Sequence, residues 1–154
     1  MAIAIIDTSI FCNMLRVPGR CEAYQNIKQE LQQKIEENTA LLLPLATIFE
    51  TGNHIAHIKS KDKEARREAA KRFVMAVEQA LKGKAPYTPI RSDSLNDMPA
   101  WLASFPDSAM RGVSFGDTTI IDEFERQCKR HPSRRVYIWT RDQHLAGYDH
   151  AATS

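Results

Sequence analysis

Two acidic residues follow apolar runs that are typical of buried β-strands. Asp7 comes directly after the run at 2–6, and Asp142 comes three residues after the run at 135–139. The carboxyl ends of parallel strands meet at one edge of a sheet, where ligands bind. We therefore expect Asp7 and Asp142 to face one crevice if their strands are neighbours in the sheet.

Two further acids lie in segments with helical spacing. Asp117 begins the predicted helix 116–130, on the face whose apolar side chains must pack against the sheet. A helix cap is the alternative role for an acid at this position. Glu50 leads the polar face of the predicted helix 45–59, where exposure to solvent is the alternative.

Four acids from four separate segments together indicate a chemistry. Clustered carboxylates repel one another and are held together by a divalent metal ion, and hard oxygen ligands favour Mg²⁺ or Mn²⁺. Such an ion can position water and offset the charge on a phosphodiester. Without metal, the crowding is expected to raise the pKa of at least one of these carboxylates.

Alternating strands and helices must position these acids. The predicted strands cover 2–6, 40–43, 87–90 and 135–139. The predicted helices cover 21–37, 45–59, a segment from the cap Asp62 to about 81, 94–104 and 116–130. This alternation predicts an α/β fold, a three-layer α/β/α sandwich around a mainly parallel sheet. We expect one domain over 1–148 and a loose tail over 149–154.

Composition excludes several classes of protein. The chain has 154 residues, of which 43% are hydrophobic and 26% charged, so it is neither disordered nor collagen-like. Three widely spaced cysteines suit neither a disulfide framework nor a zinc site. No apolar run approaches a membrane span, and the N-terminus lacks the features of a signal peptide. These features predict a cytoplasmic protein.

The acidic segments resemble, in order, four motifs of the PIN-domain ribonuclease family. They are 7–9 after the first strand, 47–50 at one helix start, 114–118 at another helix start, and 140–145 after the last long strand. The resemblance covers roughly residues 2–147. Each motif is short, but four motifs in the family's order make the resemblance fairly specific.

The resemblance implies a metal-dependent endonuclease that acts on RNA. It implies a catalytic acidic cluster with two supporting hydroxyls, namely Asp7, Glu50, Asp117 and Asp142 with Ser9 and Thr140. We expect Asp7, Asp117 and Asp142 to place carboxylate oxygens around one Mg²⁺ or Mn²⁺ ion, with Glu50 completing the cluster. The resemblance extends to the toxins of bacterial toxin–antitoxin pairs, which implies a homodimer and an antitoxin protein as partner.

Basic and aromatic residues near these motifs could bind RNA. Arg134, Arg135 and Arg141 belong to a basic cluster that approaches Asp142 in sequence, and such residues bind phosphates independently of base identity. Bases of single-stranded RNA could stack on an aromatic residue such as Trp101.

Asp122 lies about 140° around its helix from Asp117, so we expect it to be solvated. The alternative function is a PIN-like module that binds RNA or protein without cutting.

Overall fold

A five-stranded sheet lies at the centre of the computed structural model, which describes residues 1–59, 61–91 and 94–153. The strands are β1 (Ile3–Ile6), β2 (Ala40–Leu43), β3 (Tyr87–Pro89), β4 (Val136–Trp139) and β5 (Asp149–His150). Their order across the sheet is β3-β2-β1-β4-β5. The β1 strand pairs in parallel with both β2 and β4, which confirms the predicted parallel sheet.

Six helices connect and cover these strands in the described part of the chain. They are α1 (Thr8–Met14), α2 (Tyr24–Glu36), α3 (Leu45–Ala56), α4 (Lys63–Leu81), α5 (Ser94–Met110) and α6 (Phe115–Arg130). Asp62 caps α4 as predicted, because its side chain accepts a hydrogen bond from the Glu64 amide at 2.9 Å.

Helices cover both faces of the sheet, so the central strands are buried on both sides. Alternate residues of β1 enter different cores because successive side chains of a strand point to opposite faces. Ile6 packs in a cluster with Phe11 of α1, whereas Ile5 packs in a second cluster with Ile120 of α6. This two-sided burial explains the uninterrupted apolar run of β1. The fold is α/β and compatible with the predicted three-layer sandwich.

Two segments differ from the sequence-based expectation. The predicted helix 94–104 continues to Met110 with Pro106 inside it. A proline removes one helical hydrogen bond, and this exposed helix accommodates that loss. The tail at 149–154 is not loose in its described part, because β5 pairs antiparallel with β4 and the Thr153 amide donates to the Pro132 carbonyl at 2.9 Å.

Among the residues that the structure describes, no helix combines the length and apolar character needed to cross a membrane.

Candidate active site

The register between β1 and β4 places Asp7 next to the segment that carries Asp142. Ile6 and Trp139 are paired, so Asp7 and Thr140 leave the sheet side by side. The Thr140 hydroxyl donates to Asp7 Oδ2 at 2.7 Å, and the Asp142 amide donates to Thr140 Oγ1 at 2.8 Å. Thr140 therefore links the two acidic segments directly.

Asp7 is almost completely buried, with 3% of its surface exposed, and its carboxylate is held through one oxygen. Ser9 Oγ donates to the same Oδ2 at 3.0 Å, and the Arg141 amide donates to Ser9 Oγ at 2.9 Å. No hydrogen bond of the described residues reaches Asp7 Oδ1. The predicted supporting residues Ser9 and Thr140 thus fix the carboxylate through Oδ2 and leave Oδ1 available for a ligand.

Glu50 is positioned by three elements. One turn earlier in α3, the fully buried Thr47 hydroxyl donates to the Ile6 carbonyl at 2.7 Å, which fixes the start of this helix against β1. Thr8 of α1 donates to Glu50 Oε2 at 2.7 Å. A Cβ atom at Gly116 of α6 would overlap Glu50 Oε1, so the glycine gives the carboxylate room to lie against α6.

Asp117 lies in the first turn of α6, but it is not the cap of that helix. Ser114 is the N-cap, and its hydroxyl accepts a hydrogen bond from the Asp117 amide at 3.1 Å. The capping alternative for Asp117 is therefore wrong. Its position in the first turn is still favourable for a negative charge, because the N-terminus of a helix carries a partial positive charge.

The four acids line one cleft of about 490 Å³ at the carboxyl edge of the sheet. Burial first, and then the negative charges of Asp7, Glu50 and Asp142, together raise the pKa of Asp117 to about 6. Burial also raises the pKa of Glu50, with contributions from Asp7 and Asp142, while the hydrogen bond from Thr8 opposes the rise. The predicted rise of at least one pKa is confirmed.

Two arginines border this cleft in different states. Arg141, predicted from the basic cluster, lines the cleft and is ion-paired with Glu30 of α2. Arg20 also lines the cleft, is exposed, and forms no ion pair with the described acids. Sequence analysis missed Arg20 because it lies in an isolated turn after Gly19, whose φ of +83° suits glycine. The available signal was the length of α1. Because this helix has only seven residues, the segment that follows it stays close to the cleft where the helix begins.

The other two predicted RNA-binding arginines lie at the opposite end of β4. Arg134 Nε donates to the Met1 carbonyl at 2.7 Å, and Arg135 forms an ion pair with Asp149 at 2.7 Å. Both side chains therefore tie the amino end of the sheet to its neighbouring segments, and the structure does not bring them to the acidic cleft.

Asp122 is not the solvated acid that its angular position predicts. It accepts a hydrogen bond from Trp101 Nε1 at 3.0 Å and forms an ion pair with Arg126 at 3.0 Å. Helical geometry correctly placed it away from Asp117, but α5 packs on that side of α6 and supplies the tryptophan.

The carboxylates of the cleft are the donors that a divalent metal ion would use. No three of the His, Cys, Asp and Glu side chains that the structure describes surround one point closely enough to hold an ion as they stand. The expected convergence of Asp7, Asp117 and Asp142 on one point is therefore not observed. The chemistry of the set nevertheless fits Mg²⁺ or Mn²⁺, because its donors are carboxylate oxygens whose mutual repulsion a cation would relieve.

Comparisons with known proteins add no relative to this description. No protein-family model, curated protein or solved structure matches the chain significantly. The function must therefore be inferred from the cleft, from its hydrogen bonds and from the four motifs themselves.

Proposed function

We propose that this protein is a metal-dependent endoribonuclease with a PIN-like fold, which hydrolyses phosphodiester bonds of RNA in the acidic cleft. The observation that carries the proposal is that four carboxylates from four segments line one cleft, while none is ion-paired with a described lysine or arginine. Uncompensated like charges oppose folding, so such a cluster at a ligand-binding edge is typical of a functional site.

The donor chemistry of the cleft supports Mg²⁺ or Mn²⁺ as the cofactor. Asp7, through its available Oδ1, Asp117 and Asp142 would hold the ion, with Glu50 beside them. Three of these acids can share one ion only if their carboxylates come closer together than they lie in this structure. When bound, the ion supplies charge stabilisation for the phosphodiester and lowers the pKa of a water molecule.

The residues of the chain itself have separable tasks in this proposal. Ser9 and Thr140 orient the Asp7 carboxylate, and Thr8 orients that of Glu50. In the metal-free protein, the Asp117 carboxyl is half protonated near pH 6, because burial and its acidic neighbours raise its pKa to about 6. Arg20 and Arg141 border the cleft, where they can bind phosphates of the RNA backbone.

The choice of RNA and of a toxin role depends on the resemblance of the four motifs to the PIN-domain family. That resemblance also supports an antitoxin protein as partner and a homodimer. In solution, light scattering is expected to give about twice the monomer mass of 17.5 kDa. A monomer mass at micromolar concentration would contradict the dimer without affecting the nuclease.

The proposal is tested by incubating the purified protein with a long RNA and sequencing the RNA ends produced. We expect cleavage in Mg²⁺ or Mn²⁺, its loss in EDTA, and its return when excess metal is restored. Binding of RNA with no cleavage in any of these metals would contradict the proposal and support the non-catalytic module instead.

A further inference from the structure

An apolar groove of about 390 Å³ adjoins the acidic cleft, and Glu50 lines both. The groove lies between the start of α3, α5 and α6. Its wall is mainly aromatic and apolar, and it includes Phe49, Met98, Trp101, Phe115 and Glu123. A molecule bound in the cleft therefore has an apolar compartment within reach of the same glutamate.

The aromatic side chains of this groove are held in different ways. Phe49 is 65% exposed although it immediately precedes Glu50 in the same helix. Trp101 is fixed by its hydrogen bond to Asp122, and the rings of Trp101 and Phe115 meet edge to face with centroids 6.5 Å apart. A fixed indole and an exposed phenyl ring offer flat surfaces on which a planar ligand can stack.

A buried carboxylate gives the groove a polar group. Glu123 is only 9% exposed and lines the groove. Its Oε1 accepts a hydrogen bond from Gln127 at 2.7 Å, whereas Oε2 accepts none from the described residues. Oε2 is not fully enclosed, so an N–H group of a ligand in the groove can donate to it in a strong charge-assisted hydrogen bond.

We propose that the groove binds one nucleobase of the RNA beside the cleaved phosphodiester, with an amino group of that base donating to Glu123 Oε2. The proposal rests on the proposed nuclease function, and it adds a determinant of sequence preference. Adenine, cytosine and guanine carry an exocyclic amino group, whereas uracil offers only its N3–H, which is flanked by two carbonyl oxygens that a carboxylate repels. Bases with an amino group are therefore preferred over uracil at the position that enters the groove.

The first arm of the test removes the exposed ring. We expect Phe49→Ala to lower kcat/KM for RNA cleavage roughly tenfold, the usual size of one lost base-stacking contact. Met75→Ala is the matched control, since Met75 is 66% exposed on α4 and does not line the groove. Equal rates for the two variants would overturn the proposal.

The second arm tests the carboxylate with oligonucleotides that differ at one base near the cleavage position. Wild type is expected to prefer an amino-bearing base over uracil, and Glu123→Gln is expected to reduce that preference roughly tenfold. The amide preserves the shape of the side chain and an acceptor for Gln127. A preference that is identical in the two proteins would contradict the role of Glu123.

The third arm measures base binding without cleavage, so that it stands apart from the nuclease proposal. In EDTA, adenosine or cytidine should shift the indole N–H signal of Trp101 in ¹⁵N–¹H spectra more than uridine does. The buried Trp139 serves as the internal reference. Nucleoside shifts without RNA cleavage would overturn the nuclease and retain the groove, whereas cleavage without shifts would overturn the groove alone. A dimer that Phe49→Ala converts to monomer would assign the groove to a second copy of the chain and also overturn the proposal.

Discussion

Helix α6 carries acidic residues in two contrasting environments, one turn and a half apart. Asp117 lines the acidic cleft, forms no ion pair with described residues, and has a pKa raised to about 6 by burial and by its acidic neighbours. Asp122 is ion-paired with Arg126, which also binds Asp97 of α5 at 2.6 Å. Hydrogen bonding to Arg126 lowers the pKa of Asp97.

This comparison distinguishes charges that stabilise the fold from charges that are unfavourable to it. The α5–α6 acids have a cation and a tryptophan that neutralise and orient them. The cleft acids instead have hydroxyl donors, which orient a carboxylate without cancelling its charge. Hydroxyl-oriented, uncompensated carboxylates are suited to binding a cation that the chain does not provide.

The largest expected effect is on catalysis. Asp117→Asn should lower RNA cleavage by more than about a hundredfold, because loss of residues that only orient metal ligands already costs about 10–100-fold. Asp122→Asn removes the same charge from the same helix and should leave the rate within a few-fold of wild type. Initial rates of cleavage of a labelled RNA in Mg²⁺ measure both. Equal losses in the two variants would erase the functional distinction between the acids.

The next effect concerns orientation of Asp7. Thr140→Val removes the hydroxyl that joins Asp7 to the Asp142 segment and should lower kcat about 10–100-fold with little change in KM. Thr140→Ser keeps the hydroxyl and should restore most of the rate. Thr153→Val is the control at the other end of the sheet, where the lost hydrogen bond goes to the Pro132 carbonyl. An inactive Thr140→Ser variant would mean that the methyl group, and not the hydroxyl, matters.

The stability of the fold should change in opposite directions when Asp117 and Asp97 are each replaced by asparagine. In EDTA at pH 8, Asp117→Asn is expected to stabilise the fold by ~1–2 kcal/mol after allowance for solvent screening, because it removes a desolvated and repelled charge. Asp97→Asn should destabilise the fold, since it removes a partner of Arg126. Urea unfolding measures both changes, and a destabilised Asp117→Asn protein would be inconsistent with an uncompensated charge.

The stability gained by Asp117→Asn should also depend on pH. The pKa of this carboxyl is about 6 in the folded protein, against 3.8 for an unperturbed aspartic acid, so the folded state binds more protons between these values. Wild-type stability attributable to Asp117 therefore falls as pH rises from about 4 to 6 and is level above that. The advantage of the variant should shrink to zero as pH is lowered from 6 to 4. An advantage that is constant over this range would exclude titration as its cause.

The smallest expected effect is on phosphate binding. Arg20→Ala should weaken RNA binding a few-fold and reduce the salt dependence of binding by about one unit of slope, as for one lost phosphate contact. Arg135→Ala removes an arginine that is already paired with Asp149 and should leave binding to RNA unchanged. Binding titrations at several salt concentrations compare the two. A larger loss for Arg135→Ala would place the RNA at the other end of the sheet.

The sequence was sufficient for the parts of the fold that depend on continuous apolar runs. The β1 and β4 strands were predicted because burial on both faces requires such runs, but their pairing was only a condition of the prediction until the structure showed it. Given that pairing, Asp7 and Asp142 lie at the same edge of the sheet because each follows one of these strands. Ser9 and Thr140 came from the resemblance of their motifs, and the hydrogen bonds to Asp7 agree with the supporting role it implied.

The parts that were missed depend on contacts between segments distant in sequence. Two such contacts are the pairing of β5 with β4 and the hydrogen bond from Trp101 to Asp122. Neither contact produces a periodic pattern in the sequence of the segments that form it. Arg20 and Glu123 likewise acquire their positions only when α1, α5 and α6 pack. Side-chain chemistry identified the acidic cluster, but only the packed structure could separate cleft residues from paired ones.

Titration of the metal-free protein with Mn²⁺ tests the central claim most directly, because it measures the cation that the cleft acids are proposed to hold. Wild type and Asp122→Asn are expected to bind Mn²⁺ with the same stoichiometry. Asp7→Asn should lower that stoichiometry while its far-ultraviolet circular dichroism remains that of wild type. Mn²⁺ binding that is absent from wild type, or that is unchanged in Asp7→Asn, would contradict the account.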